Sequence, residues 1–314
     1  MGYFLLRRTI SFILTLFVVS AVVFAVMNIL PGDPALTILG LDATEDALAA
    51  LREELSLNDP IMLRYLHWVW DALRGDFGIS HSFRVPVADL VAERLPLTIS
   101  LAFSGMLLTI ILALALGISA AANHRMSGDW GVMFLSQLGI ALPAFWLSIL
   151  LVMLFAVKLR WLPPGGFPGY SEPWAAVRAL ILPTVALALV QSAVLARVTR
   201  SSALEVMRLD YIRTARAIGF SRQRVLWRHV LPNALIPIVT IVGLQFAALV
   251  TGTIVIENVF YLPGLGRLIF QSIGNRDLPL VQALVMLFAA IVVTANFIVD
   301  LLYLVIDPRL KTRS

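Results

Sequence analysis

The chain contains no cysteine among its 314 residues. Disulfide bonds, thiolate nucleophiles and cysteine-ligated metals are therefore excluded. Histidine is scarce as well, and the four histidines (His67, His81, His124 and His229) are scattered without metal-ligand spacing. No nucleophile and base stand out together on one face. We therefore predict that the chain is not an enzyme, that no residue is catalytic and that it binds no metal or cofactor of its own.

Lysine is nearly absent too, since Lys158 and Lys311 are the only two. A phosphate-binding P-loop needs a glycine-rich turn that ends in lysine. Neither lysine follows such a turn, so the chain cannot hydrolyse ATP by that device. An ATP-driven process would need its ATPase on a separate subunit.

Charged residues make up 14% of the chain and hydrophobic residues 60%, with a mean hydropathy of +0.90. Soluble domains hold roughly 25% charged residues, so this chain could not cover its surface in water. Several apolar runs approach or exceed the roughly 20 residues of a membrane-spanning helix. We predict an all-α, polytopic membrane protein. The net charge of +5 reflects the placement of arginines relative to the membrane, and it does not indicate a nucleic-acid partner.

The apolar runs predict six transmembrane helices, at about residues 9–30, 97–122, 130–157, 177–196, 234–256 and 280–306. A signal peptide is the alternative for the first run, but the run is too long and Pro31-Gly-Asp-Pro34 is not a cleavage site. Gly139 and Pro143 should bend the third helix, which membrane proteins tolerate. The chain thus divides into an N-terminal transmembrane helix (1–30), an insert (31–95) and a core with five spans (96–314).

The insert holds five arginines against eleven acidic residues, a net charge of −6. We predict two short helices in it. Thr44 would cap the first, and Asp59 would cap the second, with Pro60 at its first position and Gly75 at its end. The second helix would carry one apolar face, formed by Leu66, Val69, Trp70 and Leu73.

Charge asymmetry predicts the orientation. Six spans place both termini on one side, and fourteen of the 24 basic residues fall on that side, among them Arg7, Arg8, Arg125, Arg309, Lys311 and Arg313. Basic residues collect on the cytoplasmic face of membrane proteins. The termini should be cytoplasmic and the acidic insert should lie outside.

Residues 197–233 form the most basic stretch, with eight arginines opposed only by Glu205 and Asp210. Apolar spacing predicts a helix over 202–218, and Gly219 allows a turn with positive φ. Ser221 can cap a second short helix toward Val230, which Pro232 would end. Two such helices would form a compact knob. Charge alone leaves two interpretations equally open, a docking surface for a soluble partner and a basic helix lying on anionic lipid.

This stretch resembles the cytoplasmic coupling loop of bacterial ABC importer permeases, whose pattern is Glu-Ala-Ala, three residues, Gly, nine residues, Ile, one residue, Leu-Pro. With Gly219 on the family glycine, Ala215, Leu231 and Pro232 match the pattern. Arg213-Thr214 and His229 depart from it, the former in a way similar to the peptide-importer branch. The resemblance, which favours docking, implies an ATPase-coupling role for Arg213, Thr214, Ala215, Arg216, Gly219, Ser221, Arg222, Leu231 and Pro232.

Further motifs along almost the whole chain resemble dipeptide and oligopeptide (peptide, nickel and opine) importer permeases. They are Leu5-Leu-Arg-Arg8, Pro31-Gly-Asp-Pro34, Tyr65, Arg74-Gly-Asp76, Gly78, Pro86-Val87, Glu93-Arg-Leu-Pro96, Glu257-Asn-Val-Phe260, Pro263-Gly-Leu-Gly-Arg267, Asn275-Arg-Asp277 and Asp307-Pro-Arg-Leu310. By itself, Pro263-Gly-Leu-Gly266 is typical of an exposed turn. The resemblance favours a loop that dips back toward the translocation path.

Few polar residues fall within or beside the spans. The candidates for lining a pathway are Gln191, Gln245, Thr251, Glu257, Asn258, Arg267, Asp277 and Asn296. Intramembrane polar groups face a cavity or another helix, so helix packing is an equal alternative. Asn296 and Asp300 are four residues apart and share a helix face. No chain of acidic residues and histidines suggests a proton relay.

The resemblance implies a multi-pass permease of the bacterial inner membrane. Its partners would be a second permease subunit, two ATPase subunits that carry ATP and Mg²⁺, and an extracytoplasmic substrate-binding protein. Transport would proceed by alternating access, and the family's substrates include peptides, glutathione, nickel chelates and opine-like compounds. The alternative from another class is a channel or ion-coupled carrier whose basic loop only contacts lipid.

Overall fold

A computed structural model of the chain describes residues 2–29, 34–40, 43–54 and 57–306. Within that part the fold is all-α, as predicted, apart from one isolated bridge between Ile79 and Pro86. The α-helices are α1 (Gly2–Ile29), α2 (Pro34–Leu39), α3 (Glu45–Glu54), α4 (Ile61–Leu73), α5 (Val87–Ala122), α6 (Ser127–Ala141), α7 (Ala144–Leu151), α8 (Pro173–Met207), α9 (Asp210–Ala217), α10 (Arg222–Val225), α11 (Leu231–Val259), α12 (Leu265–Gly274) and α13 (Leu278–Ile306). Two π-helical stretches, Val152–Lys158 and Leu226–Val230, follow α7 and α10.

Several sequence predictions fall outside the described residues. These are the Pro31-Gly-Asp part of the first proline motif, the Asp307-Pro-Arg-Leu310 motif, and the basic residues Arg309, Lys311 and Arg313.

Five of the described helices are long and apolar enough to cross a membrane: Leu6–Ile29, Val87–Ala122, Pro173–Met207, Arg222–Val259 and Leu278–Leu301. A sixth crossing is made if α6 and the helical stretch Ala144–Lys158 are taken together as one broken span. On that count the structure has the six spans that the sequence predicts.

The broken span bends by 105° where Leu142 and Pro143 separate its halves. Leu142 has an extended backbone, with ψ of 126°, because a residue that precedes proline is disfavoured in the helical region. The predicted bend at Pro143 is confirmed. Gly139 has another role: a Cβ there would lie 2.8 Å from the Cβ of Ala193, so the glycine lets α6 approach α8.

Two spans are longer than their apolar runs. α5 begins at Val87, ten residues before the predicted start, and contains Pro96. α8 continues to Met207, well beyond the predicted end at residue 196. Polar residues in these extensions concealed them, since hydropathy marks the membrane-embedded part of a helix and not its ends.

Small residues build the centre of the bundle, where α5 packs along α8. At Gly117 a Cβ would lie 2.5 Å from the Cβ of Thr199, and at Gly105 it would lie 3.4 Å from the Cβ of Leu187. Buried alanines line both helices. Small residues let helix backbones approach closely within a membrane, where dispersion replaces the hydrophobic effect as the source of association.

The insert holds a third short helix, α2, beyond the two that the sequence predicts, and its helix ends match the predictions only in part. The Thr44 hydroxyl accepts a hydrogen bond from the Ala47 N–H at 3.4 Å, as an N-cap of α3 should. The Asp59 cap is wrong, since Pro60 is the N-cap residue of α4 and no side chain caps that helix. Gly75, with φ of +82°, follows the end of α4 as predicted.

The predicted apolar face of α4 is mostly exposed. Leu66, Trp70 and Leu73 are 54%, 56% and 78% exposed. The buried residue is Tyr65, whose hydroxyl hydrogen bonds with Ser20 of α1 at 2.7 Å and whose ring packs against Phe24. The side of α4 that carries Tyr65 therefore packs against α1.

One ion pair and one hydrogen bond show which helix ends lie at the same end of the bundle. Arg8, near the start of α1, pairs with Asp300, near the end of α13, at 2.7 Å. Ser80, just before α5, donates to Asp277, just before α13, at 2.5 Å. The starts of α5 and α13 therefore share one end of the bundle, here named the far end. The opposite end holds Arg8, the end of α5 and α9–α10, and is here named the knob end.

Candidate functional site

The basic stretch folds into two helices that we name the knob (residues 210–230). Leu209 has an extended backbone and separates α9 from α8, so the predicted single helix over 202–218 is in fact two helices. Asp210 stands in the first turn of α9 and Arg216 in the last, charges that favour the helix dipole at both ends. The buried side of α9 consists of Ile212 and Ala215.

Gly219 makes the turn between the two knob helices. Its φ is +92°, and a Cβ at this position would meet no atom within 4 Å. Backbone conformation alone therefore favours glycine here, because β-branched and most other L-residues are strained at positive φ. Ser221 then caps α10, its hydroxyl accepting from the Arg224 N–H at 3.4 Å. Both predicted features of this turn are confirmed.

The predicted helix end at Pro232 is wrong. From Arg222 the chain stays helical through the π-helical stretch Leu226–Val230 and continues into α11, with Pro232 in the first turn of α11. Proline lacks an N–H and disrupts the normal hydrogen bond of the preceding turn. The wider π turn before it, a rare feature that often occurs at functional sites, lets the helix pass the proline without ending.

The knob is anchored to the spans through a continuous apolar cluster. Its buried side chains are Ile212, Ala215, Val225, Leu226 and Val230, and they join Ile118 of α5, Leu195 of α8 and Ile238 of α11. Arg222 adds a polar contact, because its guanidinium donates to the carbonyl of Ala122 at the end of α5. The knob is therefore part of the same packed body as three of the spanning helices.

A buried ion pair that the sequence did not reveal lies beside the knob. Asp129, 4% exposed in α6, accepts two hydrogen bonds from Arg200 of α8, at 2.5 Å from Nε and 2.7 Å from Nη2. His124 Nδ1 and the Arg125 N–H also contact the Asp129 carboxylate, at 3.1 and 3.0 Å. Such a two-pronged pair fixes geometry, here between α6 and α8. Its only sequence signal is Asp129 itself, an acidic residue at the end of the short polar turn before the third predicted span.

Most of the remaining coupling residues predicted from sequence lie on or near the outer surface of the knob. Arg213 pairs with Asp210 at 3.2 Å on the exposed face, and the Thr214 hydroxyl donates to the Asp210 carbonyl at 3.2 Å. Arg216 and Arg222, with His124 and Arg208, line a cavity of about 570 Å³ between the knob and α5. Leu231 packs against the apolar cluster and Pro232 is exposed.

At the far end, Glu257 is fully buried and organises the turn between α11 and α12. Its carboxylate accepts the Thr98 hydroxyl at 2.7 Å, the Gly266 N–H at 2.7 Å and the Arg267 N–H at 3.1 Å. The Thr98 hydroxyl also accepts the Leu265 N–H at 2.9 Å. These four contacts satisfy the free N–H groups at the start of α12 and join α5, α11 and α12. We name them the Glu257 network.

The Pro263-Gly-Leu-Gly266 turn is shaped by that carboxylate. A Cβ at Gly264 would lie 2.4 Å from the carboxylate atoms of Glu257, and one at Gly266 would lie 2.4 Å from the backbone of Ile254. Leu265 between them is buried. The turn is therefore packed against α11 and is not the ordinary exposed turn that its composition alone suggests.

Asp277 joins the insert to the start of α13. It is fully buried and accepts the Ser80 hydroxyl at 2.5 Å and the Ser82 N–H at 3.0 Å. Burial by itself raises the pKa of Asp277, but the hydrogen bonds from Ser80, Ser82, His81 and Leu280 outweigh it, so the pKa lies below its ordinary value. Burial lowers the pKa of neighbouring His81, against the attraction of Asp277.

The other predicted pathway residues are dispersed. The Gln245 amide donates to the Gln191 carbonyl at 3.0 Å, the Thr251 hydroxyl donates within its own helix, and the Asn258 amide donates to Ile254 and Gly266 carbonyls. Asn296 lines a cavity of about 210 Å³ between α1 and α13, together with Arg8 and Asp300. Their role in a pathway stays a prediction.

Comparison with known protein families decides what kind of protein carries these features. The profile described as "binding-protein-dependent transport system inner membrane component" matches residues 113–312, and the profile of the N-terminal part of such membrane components matches residues 1–102. The chain belongs to this family. Its knob, insert and broken span are therefore parts of a transport permease.

Similar proteins support that assignment along the whole chain. A probable peptide ABC transporter permease of Sinorhizobium fredii is 40% identical over 314 residues, covering 99% of this chain and 100% of the relative. A putative peptide transport system permease of Brucella abortus is 43% identical over 308 residues, and the glutathione transport system permease GsiC of Escherichia coli is 41% identical over 308, each covering 98% of both chains. The chain is a permease of an ABC importer, as predicted.

Solved structures give the same fold at low sequence identity. A chain of the MetNI methionine ABC transporter, in an inward-facing form, superposes with a TM-score of 0.58 at 17% identity, covering 69% of this chain and 96% of that one. A chain of an amino acid ABC transporter gives a TM-score of 0.51 at 16% identity, covering 68% and 92%.

Proposed function

We propose that this permease moves peptides or similar small solutes across the bacterial inner membrane by alternating access, driven by ATP hydrolysis on separate subunits. The observation that carries the proposal is the knob, two short helices joined at Gly219 and packed onto three spans. Such a surface lets a soluble motor displace the spans while the chain itself carries no nucleotide-binding loop.

The outside of the knob has the composition of a docking surface. Tyr211, Ile218 and Trp227 are 44%, 67% and 52% exposed, and they lie among exposed arginines. Aromatic residues and arginine are enriched in protein interfaces. An ATPase subunit is the partner that this surface would bind.

Movement of the knob would reach the spans through contacts already described. The buried side of the knob contacts α5, α8 and α11, and the Asp129–Arg200 pair holds α6 against α8. A docked ATPase that shifts the knob would therefore shift four helices together. Packed interfaces of this kind switch between discrete arrangements and do not deform continuously.

The orientation and the partners follow from the same proposal. The knob end would be cytoplasmic, with both termini, and the far end would face the periplasm. Relatives named as peptide and glutathione permeases support a peptide-like substrate. The assembly would hold a second permease subunit, two ATPase subunits that bind ATP and Mg²⁺, and a substrate-binding protein at the far end.

The sharpest test replaces Gly219. Valine at φ of +92° is strained by roughly 1–2 kcal/mol or more, so Gly219→Val should change the knob while leaving the spans intact. We expect normal membrane insertion, but ATP hydrolysis without uptake, or loss of the ATPase subunits. Gly219→Asn is the matched control, because asparagine adds a side chain yet tolerates positive φ.

The readouts are ATPase rate, uptake and subunit retention in reconstituted vesicles. Coupled uptake in Gly219→Asn together with its loss in Gly219→Val supports the proposal. Full coupled uptake by Gly219→Val, or a wild-type protein that purifies without any ATPase and transports on an ion gradient, contradicts it.

A further inference from the structure

We propose that Arg94 and Arg267 form a carboxylate-binding pair at the far end, which receives the free carboxylate of an anionic or zwitterionic substrate. The inference rests on the proposed transport function and adds a chemical class of substrate to it. Arg94 had no functional assignment from the sequence, and Arg267 was a candidate for the pathway without a defined ligand.

The Glu257 network brings the two arginines together. Thr98 lies one helical turn after Arg94 on α5, so both side chains leave the same face of that helix. The Thr98 hydroxyl accepts the N–H of Leu265, and the N–H of Arg267 binds the same carboxylate that Thr98 contacts. The first turn of α12 is thus fixed against the face of α5 that carries Arg94.

Each guanidinium is supported from one side by an aromatic ring. Arg94 Cζ lies 5.5 Å from the ring centre of Phe83, and Arg267 Cζ lies 4.9 Å from that of Tyr261. Arg267 also donates from Nη1 to the Tyr261 carbonyl at 2.9 Å. Stacking uses the flat face of a guanidinium and leaves most of its N–H edge free for an incoming anion.

The described residues provide no ion pair for either arginine of this pair. Neither guanidinium lies within ion-pair distance of a carboxylate among the residues that the structure describes, and both arginines are half-buried. Glu93 attracts Arg94, but Arg267 repels it, and Glu257 is already engaged by backbone N–H groups. Half-buried like charges held together are costly unless an anion joins them.

The position of α12 favours a transported carboxylate over a lipid headgroup. With ten residues, α12 is too short to span a bilayer, and it stands between two spanning helices. Short helices of this kind are tolerated in membrane proteins where they are buried in protein or line an aqueous cavity, and transporters use their ends to bind substrate. A carboxylate also matches the planar fork of arginine in a two-pronged contact.

The test measures binding of dialanine and of dialanine amide, which lacks the free carboxylate, to the purified transporter in nanodiscs of zwitterionic lipid. Saturation-transfer NMR gives the affinities. We expect Arg94→Gln and Arg267→Gln each to weaken dialanine binding by about tenfold to a hundredfold, the usual effect of losing a charged hydrogen-bond donor. Dialanine amide should bind the wild type about as weakly as dialanine binds these variants.

Two further variants control for a general change in charge and for misfolding. Arg84→Gln removes an exposed charge from the same end of the protein and should leave the affinity unchanged within about twofold, an electrostatic control. Arg267→Lys keeps the charge but loses the planar fork, so an intermediate loss is expected even if the glutamine variant does not fold.

Equal affinity for dialanine and its amide overturns the inference, as does an equal loss in Arg84→Gln. The inference is also overturned if the wild type loses dialanine binding only when anionic lipid is added and the variants do not respond to that lipid. That result would assign the arginine pair to a lipid headgroup. ATP-driven uptake that does not depend on a substrate carboxylate would leave the proposed function intact. Absence of ATP-driven uptake by the wild type would instead contradict that function.

Discussion

At the scale of single residues, the far end depends on carboxylates that act as helix caps. Glu257 and Asp277 each accept backbone N–H groups at the start of a helix and a hydroxyl from a distant segment. A carboxylate at a helix N-terminus is favoured by the free N–H groups and by the helix dipole. Both residues were candidates for a pathway from sequence, and both hold structural contacts whose loss has measurable consequences.

Glu257→Ala should destabilise the far end by roughly 3 kcal/mol, because it leaves the Thr98 hydroxyl and two backbone N–H groups without their acceptor in a buried site. Glu257→Gln should cost less, since its oxygen still accepts the N–H groups. Denaturant melts in detergent would measure both, with the exposed Glu205→Ala as control. A melt of Glu257→Ala that matches wild type would show that the network is not needed for stability.

The contact between the insert and α13 should weaken in mild acid. The pKa of His81 lies below its ordinary value of 6.5, so the unfolded chain binds a proton first as the pH falls below about 6.5, and stability drops. Asp277, with its lowered pKa, stays charged there and loses its contribution only in stronger acid. His81→Gln should remove the loss near neutral pH, as followed by hydrogen exchange of residues 78–87; an unchanged pH profile would contradict this.

At the scale of helices, the sequence predicted which helices exist and where one bends better than where helices end and which of their sides are buried. Long apolar runs identified every span, and Pro143 identified the bend, because both effects are local. The continuation of α10 into α11 past Pro232 depends on a π turn, and no residue type in the sequence predicts such a turn. The buried residue of α4, Tyr65, contacts the hydroxyl of Ser20, 45 residues away, and local sequence cannot predict such a distant contact.

The candidate sites divide in the same way. Gly219 and Ser221 were predictable because turn geometry and capping are properties of neighbouring residues. The Asp129–Arg200 pair and the Thr98 bridge join residues 71 and 159 positions apart. Thr98 is an ordinary threonine in an apolar run, and only the folded chain brings it to Glu257.

At the scale of the whole molecule, each end of the bundle has its own apolar cluster, and the same spanning helices contribute to both clusters. The apolar cluster around Leu101, Phe260 and Leu280 belongs to the far end, and the one around Leu195, Ile212 and Val230 belongs to the knob end. α5, α8 and α11 run through both clusters. A displacement at either end therefore has a continuous helical route to the other, which suits a protein that couples events on two sides of a membrane.

Orientation is the whole-molecule property that a simple experiment decides. The chain has no cysteine, so single-cysteine variants have no background. Ser171→Cys, in the exposed loop before α8, should react with an impermeant reagent in intact cells, whereas Ser201→Cys, exposed near the end of α8, should react only after lysis. Reaction of Ser201→Cys in sealed cells would reverse the proposed topology and remove the ATPase partner from reach of the knob.

The π-helical stretch at Leu226–Val230 has a consequence for how this surface changes during evolution. A π turn holds one more residue than an α turn, so a chain that lost one residue there could close an ordinary α-helix without breaking it. The helical segments on either side would keep nearly the same orientation, because the π turn accommodates its extra residue within a single turn. The side chains inside the turn, Trp227 among them, would instead take new positions around the axis of α11 while the spans stayed where they are. The gain or loss of one residue there thus offers a short route to a changed contact surface at the knob end.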